Sequence, residues 1–316
     1  MNKLILLLVL ISGPALALSE RDIVHFQPPT IQSQAPATLV DPNLDIGHLT
    51  SRRGLNEYQP LVTTFDGKGK LLASWTPHKN GVKNRPTFIF VHGGHGIVGH
   101  DVAAAMWARD ELKANVLVLD SFWSRGRLEN WSTWNEFGVN MRALDAIAAG
   151  KFVLSQGVDS NSIYLMGGSQ GGWTVLRTMT DDKFFNQYNK MFRAGVSLYP
   201  NCLTGGRYGR WYAPPLGPYN NIVVIFTGGK DTATPIDQCD KDIFTGATFW
   251  KHYPNATHGF DVPFFNKASK NINIDGECVR AMNIYNRFLV CRDSSATEDM
   301  FNKIKTMVNM LSPYNN

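Results

Sequence analysis

Three short stretches of this chain hold side chains that could together carry out acyl transfer. The first is Gly167-Gly168-Ser169-Gln170-Gly171-Gly172, a serine set among glycines. A serine hydroxyl is a poor nucleophile until a base removes its proton. The second, Asn255-Ala256-Thr257-His258-Gly259-Phe260, offers His258 as that base. The third, Thr227-Gly228-Gly229-Lys230-Asp231, closes an apolar run with an acid that could fix the imidazole tautomer. Asp237 and Asp261 are rivals. Asp237 reads as a surface or helix-start residue, and Asp261 is too close to His258 in sequence to reach behind its ring.

A tetrahedral intermediate also needs donors for its oxygen. Phe90-Val91-His92-Gly93-Gly94-His95-Gly96 ends an apolar run in nearly bare backbone. The amide of Gly94 is the expected donor there, with Gly93 as the other candidate. The amide of Gln170, directly after the serine, is the second expected donor.

These residues need a scaffold, and the pattern around them supplies one. Short apolar runs at Thr87–Val91, Asn115–Leu119, Ser162–Met166, Ala194–Tyr199 and Ile222–Phe226 read as buried strands, with a weaker one at Thr248–Tyr253. Helical stretches are expected at Val102–Leu112, Trp134–Leu154 and Gly172–Met179, and an amphipathic one at Thr297–Leu311. Pro60–Thr64 and Leu71–Trp75 flank Asp66-Gly67-Lys68-Gly69 and predict a hairpin. Strands alternating with helices argue for a mostly parallel sheet with helices on both faces. In such sheets functional groups gather at the carboxyl ends of the strands. Ser169, Asp231 and Gly94 all follow strand-like runs directly, and the order serine, acid, histidine is that of an α/β-hydrolase.

The chain resembles the dienelactone hydrolase-like branch of the α/β-hydrolase superfamily. The resemblance rests on Arg85-Pro86 before the first core run and His92-Gly93-Gly94-His95-Gly96 after it. It continues through Asp120-Ser121-Phe122, Arg125-Gly126, Arg142, Asp145 and Gly168-Ser169-Gln170-Gly171-Gly172. Tyr199-Pro200-Asn201-Cys202, Gly229-Lys230-Asp231, Pro235, Cys239 and His258-Gly259-Phe260 complete it. It spans roughly Pro60 to Leu289. It implies an eight-stranded type of sheet and hydrolysis of esters or lactones through Ser169, with no cofactor and no metal. The dienelactone hydrolases that give the branch its name use a cysteine nucleophile, so Ser169 points to a general serine hydrolase. A serine peptidase of the same fold, or a silent copy used for binding, are the alternatives. A small-molecule ester or lactone is the expected partner.

The rest of the sequence bounds this reading. Asn2-Lys3, the apolar run Leu4–Ile11 and Ala15-Leu16-Ala17 have the layout of a secretory signal peptide over residues 1–17. Residues 18–58 read as an extended arm and 59–316 as one α/β-hydrolase domain, exported to the periplasm or outside. No later run is apolar enough to span a membrane. The net charge of +5 is scattered, with no basic run interleaved with aromatics, so nucleic-acid binding finds no support. Four cysteines in an exported chain favour two disulfides. Cys202–Cys239 and Cys278–Cys291 is the first choice among three connectivities. Arg125 and Arg127 are candidates to bind a substrate carboxylate, against a competing reading as structural ion pairs. Trp123, with Trp107, Phe122, Trp131 and Trp134, is a candidate lining of an apolar pocket, against a reading as core.

Overall fold

Thr87-Phe88-Ile89-Phe90-Val91 has no polar face, which suits a strand covered on both sides. It forms β3 (Thr87–Val91), buried at every position. The structure is a computed structural model describing residues 55–126, 138–181, 183–202, 217–239, 241–262, 278–282 and 287–314. Residues 1–17, expected as a signal peptide, most of the expected arm, Arg127, Trp131 and Trp134 lie outside these.

β1 (Gln59–Thr63) and β2 (Lys70–Thr76) form the expected hairpin. Around β3 stand β4 (Asn115–Asp120), β5 (Ile163–Gly168), β6 (Ala194–Leu198), β7 (Ile222–Gly228) and β8 (Phe249–Tyr253). The eight strands run in the order β1-β2-β4-β3-β5-β6-β7-β8. β2 pairs antiparallel with β1 and β4, and β4 through β8 are mutually parallel.

Helices cover both faces. α1 (Gly99–Glu111) and α5 (Ser294–Leu311) join Phe88, Phe90, Val116, Val118, Tyr164, Met166, Val224 and Phe226 in one buried cluster. α2 (Val139–Ser155) and α3 (Gln170–Met179) join Ile89, Val91, Leu117, Leu119, Leu165, Val223 and Ile225 in the other. Alternate residues of each strand thus serve opposite layers. On α5, Met300, Ile304 and Val308 recur every fourth residue and are buried. Each such side chain contributes roughly 1.5–3 kcal/mol over an exposed one. α4 (Lys241–Thr245) is a single short turn before β8.

Some expectations need correcting. The arm does not stop short of the core, because Leu55 is buried in the α1–α5 layer and the Asn56 amide donates to Thr76 Oγ1 at 2.8 Å. A second sheet, β9 (Cys278–Met282) paired antiparallel with β10 (Arg287–Cys291), was not foreseen. Its signals were the Phe288-Leu289-Val290 run and the flanking cysteines. Both disulfides form as first chosen, Cys202–Cys239 and Cys278–Cys291. Among the described residues no helix is long and apolar enough to cross a membrane.

The strand order creates one special place. The chain steps from β3 by α1 to β4 on one side, then returns by α2 to β5 on the other side of β3. At such a reversal the following connections diverge and leave a crevice at the strands' carboxyl ends. His92 follows β3 there, and Ser169 follows β5.

Candidate active site

Ser169 connects β5 to α3 with no intervening loop, and its backbone takes φ 57°, ψ −120°. A side chain in this region is strained, and only close packing on all sides holds it. Glycines allow that packing. A Cβ on Gly171 would lie 2.0 Å from the Val91 carbonyl oxygen, and one on Gly167 2.5 Å from the same atom. One on Gly172 would lie 2.8 Å from the Leu198 oxygen. The helix therefore starts against the backbones of β3 and β6. The Ser169 amide donates to the Leu198 carbonyl at 2.9 Å, and the Asn201 amide donates to the Ser169 carbonyl at 3.0 Å.

Asp231 and His258 meet by a similar use of glycine. At Gly228 and Gly229 a Cβ would lie 2.5 Å from the Ala256 and Pro254 oxygens. The Lys230 amide donates to the Ala256 carbonyl at 2.9 Å. The loop leading to His258 thus lies directly on the loop leading to Asp231. His258 Nδ1 stands 2.8 Å from Asp231 Oδ2. The Ala233 and Thr234 amides both donate to Asp231 Oδ1 at 2.8 Å, and the Thr234 hydroxyl donates to Oδ2 at 2.8 Å. Burial alone would raise the Asp231 pKa, but the facing His258 and these donors outweigh it and hold the carboxyl below its usual range. An ionised Asp231 keeps the His258 proton on Nδ1 and leaves Nε2 as the basic atom.

The rival acids lie elsewhere. Asp237 is exposed on a 3-10 turn. Asp261 is buried and accepts the Tyr199 hydroxyl at 2.6 Å. The Tyr199 ring stands edge-on to the His258 ring at 4.8 Å, and a Cβ on Gly168 would lie 2.7 Å from the Tyr199 hydroxyl. One phenol thus packs against both the residue before Ser169 and the imidazole. Burial first, and then Asp261, push its pKa well above the usual value, so it remains a neutral donor. Thr234 and the Tyr199–Asp261 pair had no local sequence signal for these roles.

On the other side of Ser169 lies the His92-Gly93-Gly94 turn. A Cβ on Gly93 would lie 3.5 Å from Ser169 Cβ. The buried His92 ring has one consistent tautomer. Its Nε2 accepts the Ser121 amide at 3.1 Å, so Nδ1 carries the proton and donates to the Gly93 carbonyl at 2.7 Å. Burial, then Arg142, hold the His92 pKa well below its usual value and keep the ring neutral. The carbonyl held by His92 shares a peptide plane with the Gly94 amide, which points the opposite way. At the start of α3 the Gln170 amide has no acceptor within its own helix.

Two substrate-binding candidates change in standing. Arg125 is mostly buried, and its Nη1 and Nη2 donate to the two oxygens of Asp145 at 2.8 Å each, with Nη1 also on the Ser121 carbonyl at 2.7 Å. This is the competing ion-pair reading, since the fork that would grip a substrate carboxylate grips Asp145 instead. Trp123 is partly buried on a 3-10 turn (Trp123–Arg125) whose amide donates to Asp120. Trp107 stacks on Phe301 of α5 at 4.4 Å, and Phe122 packs edge-on to His92 at 4.5 Å, so both belong to the core.

No protein-family model and no curated protein sequence matches the chain. Solved structures do. A candidate dienelactone hydrolase from Klebsiella pneumoniae subsp. pneumoniae MGH 78578 superposes with a TM-score of 0.58 at 15% identity, over 80% of this chain and 99% of that one. MGS-M1, an alpha/beta hydrolase enzyme from a Medee basin deep-sea metagenome library, gives 0.56 at 14% identity, over 82% and 98%. The thermophilic esterase Est2 of the Planctomycetes species Thermogutta terrifontis gives 0.53 at 15% identity, over 84% and 96%. At these identities the likeness is one of fold. The strand order, the strained serine turn and these neighbours together establish the α/β-hydrolase fold.

Proposed function

We propose that the protein is an exported serine hydrolase of carboxylic esters or lactones, working through an acyl-enzyme. The observation that carries this is the Asp231–His258 hydrogen bond, made by two loops that close on each other, and a strained serine turn at the end of β5 accompanies it. Export is supported by the leader-like start of the sequence and by the two disulfides. Esters or lactones are favoured by the resemblance to dienelactone hydrolases, and by two structural neighbours, a candidate dienelactone hydrolase and a thermophilic esterase.

In this mechanism His258 Nε2 takes the proton of Ser169 Oγ as that oxygen attacks the carbonyl carbon. The carbonyl oxygen becomes an oxyanion held by the amides of Gly94 and Gln170, with the positive end of α3 behind the latter. Asp231 stabilises the imidazolium without accepting its proton. His258 then gives the proton to the leaving oxygen, and the acyl group remains on Ser169. Water, deprotonated by His258, attacks the acyl carbon, and the acid leaves as His258 returns the proton to Ser169 Oγ.

The test is turnover of p-nitrophenyl esters by wild type and Ser169→Ala, with labelling by a fluorophosphonate. Wild-type turnover and labelling that Ser169→Ala abolishes are the expected result. A folded wild type that takes no label would overturn the proposal.

A further inference from the structure

Arg142, on α2, is fully buried, and a buried guanidinium needs compensation. The nearby carboxylates do not supply it directly. Asp145 has both oxygens on Arg125, Asp120 Oδ1 accepts the Phe122 and Trp123 amides, and Asp101 Oδ2 accepts the Val98 amide. Arg142 instead lies over the Phe122 ring at 4.9 Å. Nη2 donates to the His92 carbonyl, and Nη1 donates to the Gln170 side-chain oxygen at 3.4 Å. These two contacts fall on different elements. One is the turn after β3, which carries Gly93 and Gly94. The other is the first residue of α3, which carries the Gln170 amide.

We propose that Arg142 is a positioning residue for the oxyanion hole, a single rigid fork that fixes the β3 turn and the α3 start relative to each other. The inference rests on the serine hydrolase reading above. Its physical basis is that an oxyanion hole works only when its donors are held in place before the charge develops. The two expected donors belong to separate chain segments about eighty residues apart in sequence, and no direct hydrogen bond between their amides could hold the spacing. Arg142 holds the His92 carbonyl while the His92 ring holds the Gly93 carbonyl, so consecutive peptide planes of the turn are fixed. Lysine would keep the charge but lose the planar fork.

The experiment compares wild type, Arg142→Met, Arg142→Lys and Gln170→Ala, which loses its side chain but keeps its amide. It reads kcat and KM with p-nitrophenyl acetate, the inhibition constant of an alkyl boronic acid that forms a tetrahedral adduct on serine, and the thermal melt. In Arg142→Met we expect kcat to fall about tenfold to a hundredfold, somewhat less than removal of a donor outright, with KM little changed. Boronate affinity should fall in parallel, and Arg142→Lys should recover only part of both. A merely structural role would lower the folded fraction and leave the surviving molecules with normal boronate affinity. A folded Arg142→Met with wild-type kcat and boronate affinity overturns the inference. Should both arginine variants fail to fold, Gln170→Ala with unchanged kcat and boronate affinity overturns it just as well. A wild type without turnover or fluorophosphonate labelling instead overturns the hydrolase reading, a separate and recognisable failure.

Discussion

The Cys291 amide donates to the Thr257 hydroxyl at 2.8 Å, one residue before His258. This fastens the hairpin β9–β10 to the loop that carries the imidazole. Phe288 of the same hairpin is buried and stands edge-on to the His258 ring at 5.3 Å. A Cβ on Gly259, at φ 61°, would meet Val290 at 3.2 Å. The Cys278–Cys291 disulfide closes this hairpin. The double variant Cys278→Ser, Cys291→Ser should therefore lose about 3 kcal/mol of stability by the loop-closure argument. It should also lose esterase activity at temperatures where the sheet is still folded. Circular dichroism and turnover followed on one sample check this, and loss of both at the same temperature would refute the local effect.

Asp231 and Asp261 are both buried, yet only Asp231 reaches His258 Nδ1, while Asp261 accepts the Tyr199 hydroxyl. Asp231→Asn should lower kcat by about 10⁴-fold, because an amide facing Nδ1 favours the wrong tautomer. Asp261→Asn keeps an acceptor for Tyr199 and should cost far less. Steady-state kinetics of the two variants with one ester decide the matter. Equal losses would mean that the acid has been assigned wrongly.

Burial pushes the Asp120 carboxyl up to about 6, above the ordinary value of about 3.9. Between those two values the folded chain keeps a proton that the unfolded chain has lost. Stability therefore declines as pH rises through that window and levels off above it. Asp120→Asn keeps an oxygen for the Phe122 and Trp123 amides but has nothing to ionise. Relative to wild type, the variant should gain ~2 kcal/mol between pH of about 4 and about 7. Urea unfolding at the two values reads the change, and a constant difference would contradict it.

Gly171 should be intolerant of alanine and Gly99 nearly indifferent to it. At Gly171 the added Cβ would lie 2.0 Å from the Val91 oxygen and 2.8 Å from the His92 oxygen, both backbone atoms. Gly99 opens α1 with no heavy atom within 4 Å of the new carbon. Gly171→Ala should cost at least about 3 kcal/mol or prevent folding, since overpacking against a rigid backbone is among the largest single-residue effects. Gly99→Ala should stay within about 0.5 kcal/mol of wild type. Thermal melts of both variants provide the check.

Much of this architecture could be read from local pattern. The apolar runs that became β3 to β7 are continuous, and only a strand buried on both faces tolerates that. The serine turn was legible because a strand, a Gly-rich turn and a helix follow one another without a gap, so Ser169 had one conformation available to it. The even cysteine count pointed to two disulfides but left three connectivities open, and the fold decided among them. The hairpin β9–β10 was not, because its residues carry little alternation and its stability comes from contacts with the His258 loop and from its cross-link.

The sequence by itself determined the strand-and-helix alternation, the serine at the β5–α3 junction and the order in which serine, acid and histidine occur, since each of these is a property of neighbouring residues. Only the tertiary structure decided which acid faces His258, that Asp261 serves Tyr199 and that Arg125 serves Asp145. It alone placed Arg142 between the His92 turn and Gln170. Those pairings join residues 20 to 62 positions apart. Local pattern cannot choose among several carboxylates of equal chemistry. The choice falls to the sheet order and to the glycines that let two particular loops touch.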